Sequence, residues 1–114
     1  MCTLLILNDP PYGTERSHNG LRLAKAIAGK GTEVSIILMA DAVACAKAGQ
    51  KKPEGYYNLE LIVKGVARHG EVVFCGTCMD ARGLRDDELI DGARRGTLDD
   101  LATLTVATDK VLVF

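Results

Sequence analysis

The chain has 114 residues and a formal net charge of -1, from 14 Lys and Arg against 15 Asp and Glu; 47% of residues are hydrophobic, only 4% aromatic, and Trp is absent. That size and apolar content fit one globular domain over residues 1–114 and argue against wholesale disorder. Near-neutral charge and few aromatic rings remove the electrostatic and stacking arguments for a nucleic-acid or anionic-membrane partner.

The first apolar run, Thr3 to Leu7, is too short for a signal peptide and lacks its basic flank. No stretch reaches the ~20 apolar residues of a membrane span. The expected setting is the cytoplasm, where thiols stay reduced. Four cysteines stand at 2, 45, 75 and 78, and the Cys-x-x-Cys among them then points to metal binding or thiol chemistry rather than a structural bridge.

Thr3 to Leu7 reads as a strand buried on both faces, ended by Asn8-Asp9-Pro10-Pro11. A loop to about Arg16 follows, and Ser17 is placed to cap a helix running to about Gly29. On a helical wheel Gly20, Leu23, Ala24 and Ile27 share the apolar side, and His18, Arg22 and Lys25 the polar one. Glu33 to Met39 is the second strand. Asp41 is placed to cap a short Ala-rich helix that ends by Gly49, and the polar stretch 49–55 is a loop.

Asn58 opens a helix to about His69 with the stripe Leu59, Ile62, Val63 and Val66, and Glu60 is spaced to pair with Lys64. Glu71 to Phe74 enters a third strand ending at Cys75. Residues 76–96 form a mixed polar segment, with a short helix from Asp86 to Ile90 and a short fourth strand within 89–95. Thr97-x-x-Asp100 is a capping-box start for a helix to about Thr108, with Leu98, Leu101, Ala102 and Thr105 on one face. Lys110 to Phe114 is the last strand. Alternating strands and helices argue an α/β fold: a mainly parallel sheet with helices on both faces.

Ligands of open parallel sheets bind beyond the carboxyl ends of the strands. Those ends are Asn8-Asp9, Met39-Ala40-Asp41 and Cys75-Gly76. The loops 8–16 and 76–83 make the walls and the 49–55 loop closes over them. This nominates Asn8, Tyr12, Gly13, Asp41, Gln50, Lys51, Gly76, Thr77 and Gly83 as pocket residues around Cys75, Cys78 and Arg82. A thiol nucleophile needs its thiolate, which a nearby cation favours. Arg82 lies within folding-back reach of either sulfur. Zinc would want two further Cys or His ligands, and Cys2, Cys45, His18 and His69 are scattered singles, so no metal is expected. A thioredoxin-type disulfide and two small packing cysteines are the other readings of the pair.

Pro11-Tyr12-Gly13, Leu21-Arg22-Leu23-Ala24, Leu38-Met39 with Asp41-Ala42-Val43, and Gly49-Gln50-Lys51 form an ordered set. It continues through Cys75-x-x-Cys78 with Arg82-Gly83, Leu89-Ile90-Asp91-Gly92, Gly96-Thr97-Leu98 and Asp109-Lys110-Val111-Leu112. In that order and spacing the chain resembles the DsrE/TusD-like sulfur-relay superfamily, most closely its YchN-like branch. The resemblance implies a three-layer α/β/α sandwich on a five-stranded sheet and ring-like homo-oligomers, trimers or hexamers built from two trimers. It implies a sulfane sulfur held as a persulfide on the cysteine ending the third strand, which is Cys75 here, with Arg82-Gly83 at the matching interval. The TusD pattern lacks a cysteine at position 78, whereas YchN-like members have one. Cys78 would then resolve the persulfide as a disulfide, releasing sulfide.

Two functions follow as expectations. One is a sulfurtransferase-like persulfide carrier that needs no cofactor and works between sulfur donor and acceptor proteins. The other is a non-catalytic oligomeric module that binds a small ligand or senses redox state through its thiols.

Overall fold

Four apolar runs and the short polar segment Ala93–Gly96 pair into one all-parallel sheet in a computed structural model that describes residues 2–114. In chain order the elements are β1 (Cys2–Leu7), α1 (Arg16–Ala28), β2 (Glu33–Leu38), a 3₁₀ segment (Ala40–Ala46), α2 (Leu59–Ala67), β3 (Val72–Cys75), α3 (Gly76–Ala81), a 3₁₀ turn (Asp86–Glu88), β4 (Ala93–Gly96), α4 (Leu98–Val106) and β5 (Lys110–Val113). The strand order is β4-β3-β2-β1-β5, with every pairing parallel.

This order explains how the layers are filled. The chain steps from β1 to β4 in one direction, so right-handed crossovers put α1 and α2 on one face. Only the return from β4 to β5 runs the other way, and it puts α4 alone on the opposite face. The α1/α2 face is accordingly sealed: Leu5, Leu7, Val34, Ile36, Leu38 and Phe74 of the strands pack with Leu21, Val63 and Val66 at 0–1% exposure. Truncating a fully buried ring such as Phe74 to Ala costs ~3–5 kcal/mol in sites of this kind. The α4 face carries a smaller cluster of Leu4, Ile37, Val73, Cys75 and Leu101. Beside it an apolar groove of about 300 Å³ stays open between Ile6, Ile37, Met39 and α4. Val106 and Leu98 are exposed there at 86% and 76%, and Val113 of β5 is 65% exposed.

Two helix faces differ from the periodicity reading. In α1 the buried set is Ser17, Gly20, Leu21 and Ala24, and Leu23 is exposed. The helix is rotated because Gly20 lies under Phe114 and Leu7, where a Cβ would meet Leu7 Cδ2 at 2.6 Å. Ser17 is not the cap: it lies inside the first turn, and its hydroxyl donates to the Asp9 carbonyl at 2.7 Å. In α4 only Leu101 is buried, with Leu104 and Thr105 half-covered, so Leu98 and Ala102 belong to the open groove rather than to the packed face. The Asn58 cap of α2 and the Thr97–Asp100 capping box of α4 form as their sequences dictate. Asp41, by contrast, caps nothing; the Ala-rich stretch is a 3₁₀ segment capped by the Met39 backbone.

Candidate thiol site

The β3–α3 junction positions the first thiol. Cys75 ends β3 with extended backbone (φ -68°, ψ 116°) and is the N-cap of α3, a helix hidden in the segment that reads from sequence as mixed and polar. Its side chain lies on the α4 face among Leu4, Ile37, Val73 and Leu101, and the residue is 8% exposed. Thr77 Oγ1 is 3.2 Å from Cys75 Sγ. Cys78 sits one turn into the helix, half-buried, and both are free thiols.

The pair is electrically asymmetric. Burial opposes ionisation of Cys75, but hydrogen bonds from the Thr77 hydroxyl, the Cys78 thiol and the backbone N–H groups of Cys78 and Thr77 outweigh it and lower its pKa. Cys78 is pushed up by burial and by the hydrogen bond it gives to Cys75, against opposing help from the Ala40 N–H and Arg82. When one proton leaves, Cys75 holds the charge and Cys78 donates to it. Burial also pushes Cys45 up to about 12, and Cys2 upward.

Arg82 does not aim at Cys75. Its Nε donates to Asp41 Oδ1 at 2.7 Å and its Nη1 to the Cys78 carbonyl at 3.1 Å. It therefore ties the end of α3 to the 3₁₀ segment and reaches Cys78, the second thiol. Gly83 follows in the left-handed region (φ 67°), which turns the chain out of α3.

Sequence reasoning missed two residues here. Arg95 of β4 donates from Nη2 to the Gly76 carbonyl at 3.2 Å and to Asp80 Oδ1 at 2.7 Å, and from Nη1 to Asp86. It straps the start of α3 to the sheet edge. Gly76 lies directly beneath it, and a Cβ there would meet Arg95 Nε at 2.8 Å and displace the guanidinium. Arginine in a short polar strand carries no signal of such a contact. The other is Ala40, the one non-glycine residue with positive φ (50°) among those described. That conformation costs ~1–2 kcal/mol and aims its N–H at Cys78.

The remaining nominated residues form a separate network. Tyr12 donates to Gln50 Oε1 at 2.7 Å and accepts from the Leu59 N–H. Gln50 donates from its side chain to the Cys45 and Lys47 carbonyls and from its backbone to Glu60. Together they clasp the 47–58 loop to the start of α2, so the loop is a structural strap rather than a cover for the thiols. Gly13 packs on Pro10, Lys51 is exposed, and Asn8 donates to the Phe114 carbonyl. Phe114 is thereby tied to the end of β1, beside the point where the strand order reverses and ligands of such sheets usually enter.

His18 also departs from its expected polar face: its ring stacks on Tyr57, centroids 3.6 Å apart, with Nδ1 buried and unpartnered. Among the described residues no cluster of three or more His, Cys, Asp or Glu converges for a metal, and no helix is long and apolar enough to cross a membrane.

Residues 1–114 match the DsrE/DsrF-like family. The chain is 40% identical over 113 residues to Protein YchN of Escherichia coli, covering 97% of each, and 36% identical over 110 residues to the uncharacterized protein MJ0989 of Methanocaldococcus jannaschii, covering 96% of each. The crystal structure of the Escherichia coli YchN protein superposes with a TM-score of 0.90 at 41% identity over the whole of both chains. A Methanobacterium thermoautotrophicum protein of unknown function, MTH1491, shares the fold with a TM-score of 0.72 at 10% identity, over 96% of this chain and 95% of that one.

Proposed function

The chain belongs to the DsrE/DsrF-like family, and on that premise we propose that it carries sulfane sulfur as a persulfide on Cys75. One observation carries the reading. Of the four cysteines, Cys75 is the one where hydrogen-bond donors outweigh burial and favour the thiolate, while burial leaves Cys2, Cys45 and Cys78 pushed the other way.

The chemistry follows from that asymmetry. The Cys75 thiolate attacks the terminal sulfur of a donor persulfide. The donor S–S bond breaks, the donor leaves as a thiolate with the electron pair, and Cys75 gains one sulfur. Thr77 and the first N–H groups of α3 hold the resulting anion. An acceptor thiolate then attacks that terminal sulfur and restores the Cys75 thiolate. Where no acceptor arrives, Cys78 attacks the inner sulfur, a Cys75–Cys78 disulfide forms and sulfide leaves; a thiol reductant resets the pair. The nearby charge of Arg82 and the Ala40 N–H favour its thiolate for that second step. The pair must rest reduced, the state that the cytoplasm maintains.

Donor and acceptor proteins dock at the strand ends, and copies of the chain associate through the open α4/β5 face, in trimers or hexamers. Exposed Leu98, Val106 and Val113 support that assembly. Light scattering at micromolar concentration should find an oligomer that Val106→Glu weakens; a wild-type monomer contradicts it. For the carrier function, the reduced protein is incubated with a persulfide donor and its intact mass taken. One added sulfur is expected on wild type and on Cys78→Ser, and none on Cys75→Ser. Equal loading of Cys75→Ser refutes the assignment.

A further inference from the structure

A second feature lies at the other end of the sheet, where α1 and α2 finish side by side. A cleft of about 410 Å³ opens between them, walled by Lys25, Ala28 and Gly29 on one side and Leu61, Gly65, Arg68 and His69 on the other. No carboxylate lines it. Among the described residues, Lys25, Arg68 and His69 make no ion pair, whereas Lys64 on the same helix is paired with Glu60.

Basic residues at helix ends ordinarily serve the helix dipole. Two helix ends supply only about half a negative charge each. Much of that is already met by backbone caps: Gly29 N–H donates to the Lys25 carbonyl, Gly31 N–H to Ala28 and His69 N–H to Val66. Lys25 and Arg68 bring two full charges, with His69 beside them, so the cleft keeps a positive surplus. One wall is apolar. Leu61 is 63% exposed. Gly65, one turn further on, has nothing within 4 Å of where its Cβ would stand. A glycine inside a helix weakens it, and here it leaves the cleft floor open.

We propose that this cleft binds a nucleotide-sized phosphate ester, its phosphates held by Lys25, Arg68 and His69 and its flat base laid over Leu61 and Gly65. Guanidinium and imidazole donors on the α2 side and an ammonium on the α1 side suit phosphate oxygens, and the volume falls in the range of small-ligand sites. The inference is independent of the persulfide reading, because the cleft lies at the carboxyl ends of α1 and α2 and uses none of the thiol residues.

The test is calorimetric titration of the full chain with adenosine 5′-diphosphate, pyrophosphate and adenosine. Saturable binding of the diphosphate is expected, weaker binding of pyrophosphate, and none of adenosine. Arg68→Glu should weaken the diphosphate by about tenfold or more. Gly65→Leu should weaken it comparably with every charge in place, and Gly65→Gln is a second occluding variant should leucine perturb α2. Circular dichroism checks the fold, and Cys75 sulfur loading should be unchanged in all three variants. Absence of saturable diphosphate binding overturns the proposal, as does unchanged affinity in both Gly65 variants or in Arg68→Glu. Pyrophosphate binding as tightly as the diphosphate overturns the apolar subsite.

Discussion

Cys45 and Cys75 are both shielded from water, at 0% and 8% exposure, yet they are opposite as acids. Cys45 lies inside the 3₁₀ segment with its sulfur toward the Asp9 carbonyl, 4.0 Å away. An acceptor there suits the protonated thiol, and burial pushes Cys45 up to about 12. Cys75 lies nearer the surface, so burial opposes its charge less, and it faces more donors: a hydroxyl, a thiol and two backbone N–H groups. Depth of burial and the number of hydrogen-bond donors around the sulfur together set the charge of each thiol.

The largest effect expected from breaking this contrast is at the sulfurs themselves. Cys75→Ser should lose all sulfur loading, while Cys45→Ala should load normally and lose ~1 kcal/mol or more of stability from the small cavity it leaves, read by urea denaturation. Next comes Thr77→Val, which removes the nearest donor to Cys75. Without it the Cys75 pKa rises and its thiolate fraction falls, so Cys75 alkylation at neutral pH should slow measurably. Thr77→Ser should retain the wild-type rate.

A smaller effect is expected at Arg82→Ala. The guanidinium touches Cys78's carbonyl and Asp41, not Cys75, so Cys75 alkylation should stay within about twofold of wild type while Cys78 becomes harder to ionise. Since both charges of the Arg82–Asp41 pair are well exposed, stability should change by less than ~1 kcal/mol.

The mildest tests extend the contest between burial and hydrogen bonding to two other groups. Burial opposes the Glu60 carboxylate, but N–H groups of Gln50 and Gly49 and the Lys64 ammonium outweigh it and lower its pKa. Its folded pKa lies below the unfolded value of ~4.3. Glu60 thus stabilises the fold above that pH and ceases to as pH falls through its folded pKa. His18 has no partner at Nδ1, and burial together with Arg22 lowers its pKa. Its folded pKa lies below ~6.5, so neutral His18 stabilises the fold above that pH and the contribution is lost as pH falls. Melting curves should show Glu60→Gln flattening the acid limb near pH ~4, and His18→Gln flattening a shallower slope near pH ~6.

The residue pattern carried β1, β2, β3, β5 and the place of Cys75, because strands of a parallel sheet read as apolar runs and their carboxyl ends are fixed by topology, whereas Ala93-Arg94-Arg95-Gly96 shows no such run. Local chemistry likewise marked the Asn58 cap and the Thr97–Asp100 box. Alpha-helix α3 was hidden, since Gly-Thr-Cys-Met-Asp-Ala is too short to show a period. Leu23 misled the wheel because the α1 rotation is set by Phe114 and Leu7, residues remote in sequence. Arg95, Ala40 and the His18–Tyr57 stack act through contacts between distant segments, which no local window contains. Arg82 stood at the right interval, but Asp41 claimed its guanidinium. Tyr12 and Gln50 proved to belong to the loop strap, because their polar atoms satisfy backbone groups of the 44–59 stretch.

The central claim is that hydrogen-bond donors at the β3–α3 junction make Cys75 the thiolate of this chain. Its most direct test is residue-resolved alkylation of the native reduced protein as a function of pH, read by peptide mass spectrometry. Cys75 should be modified first, with a midpoint below that of an ordinary thiol; Cys78 should follow at higher pH, and Cys45 should stay unmodified until the protein unfolds. Alkylation of Cys78 before Cys75, or a Cys75 midpoint at or above that of an ordinary thiol, would contradict the account.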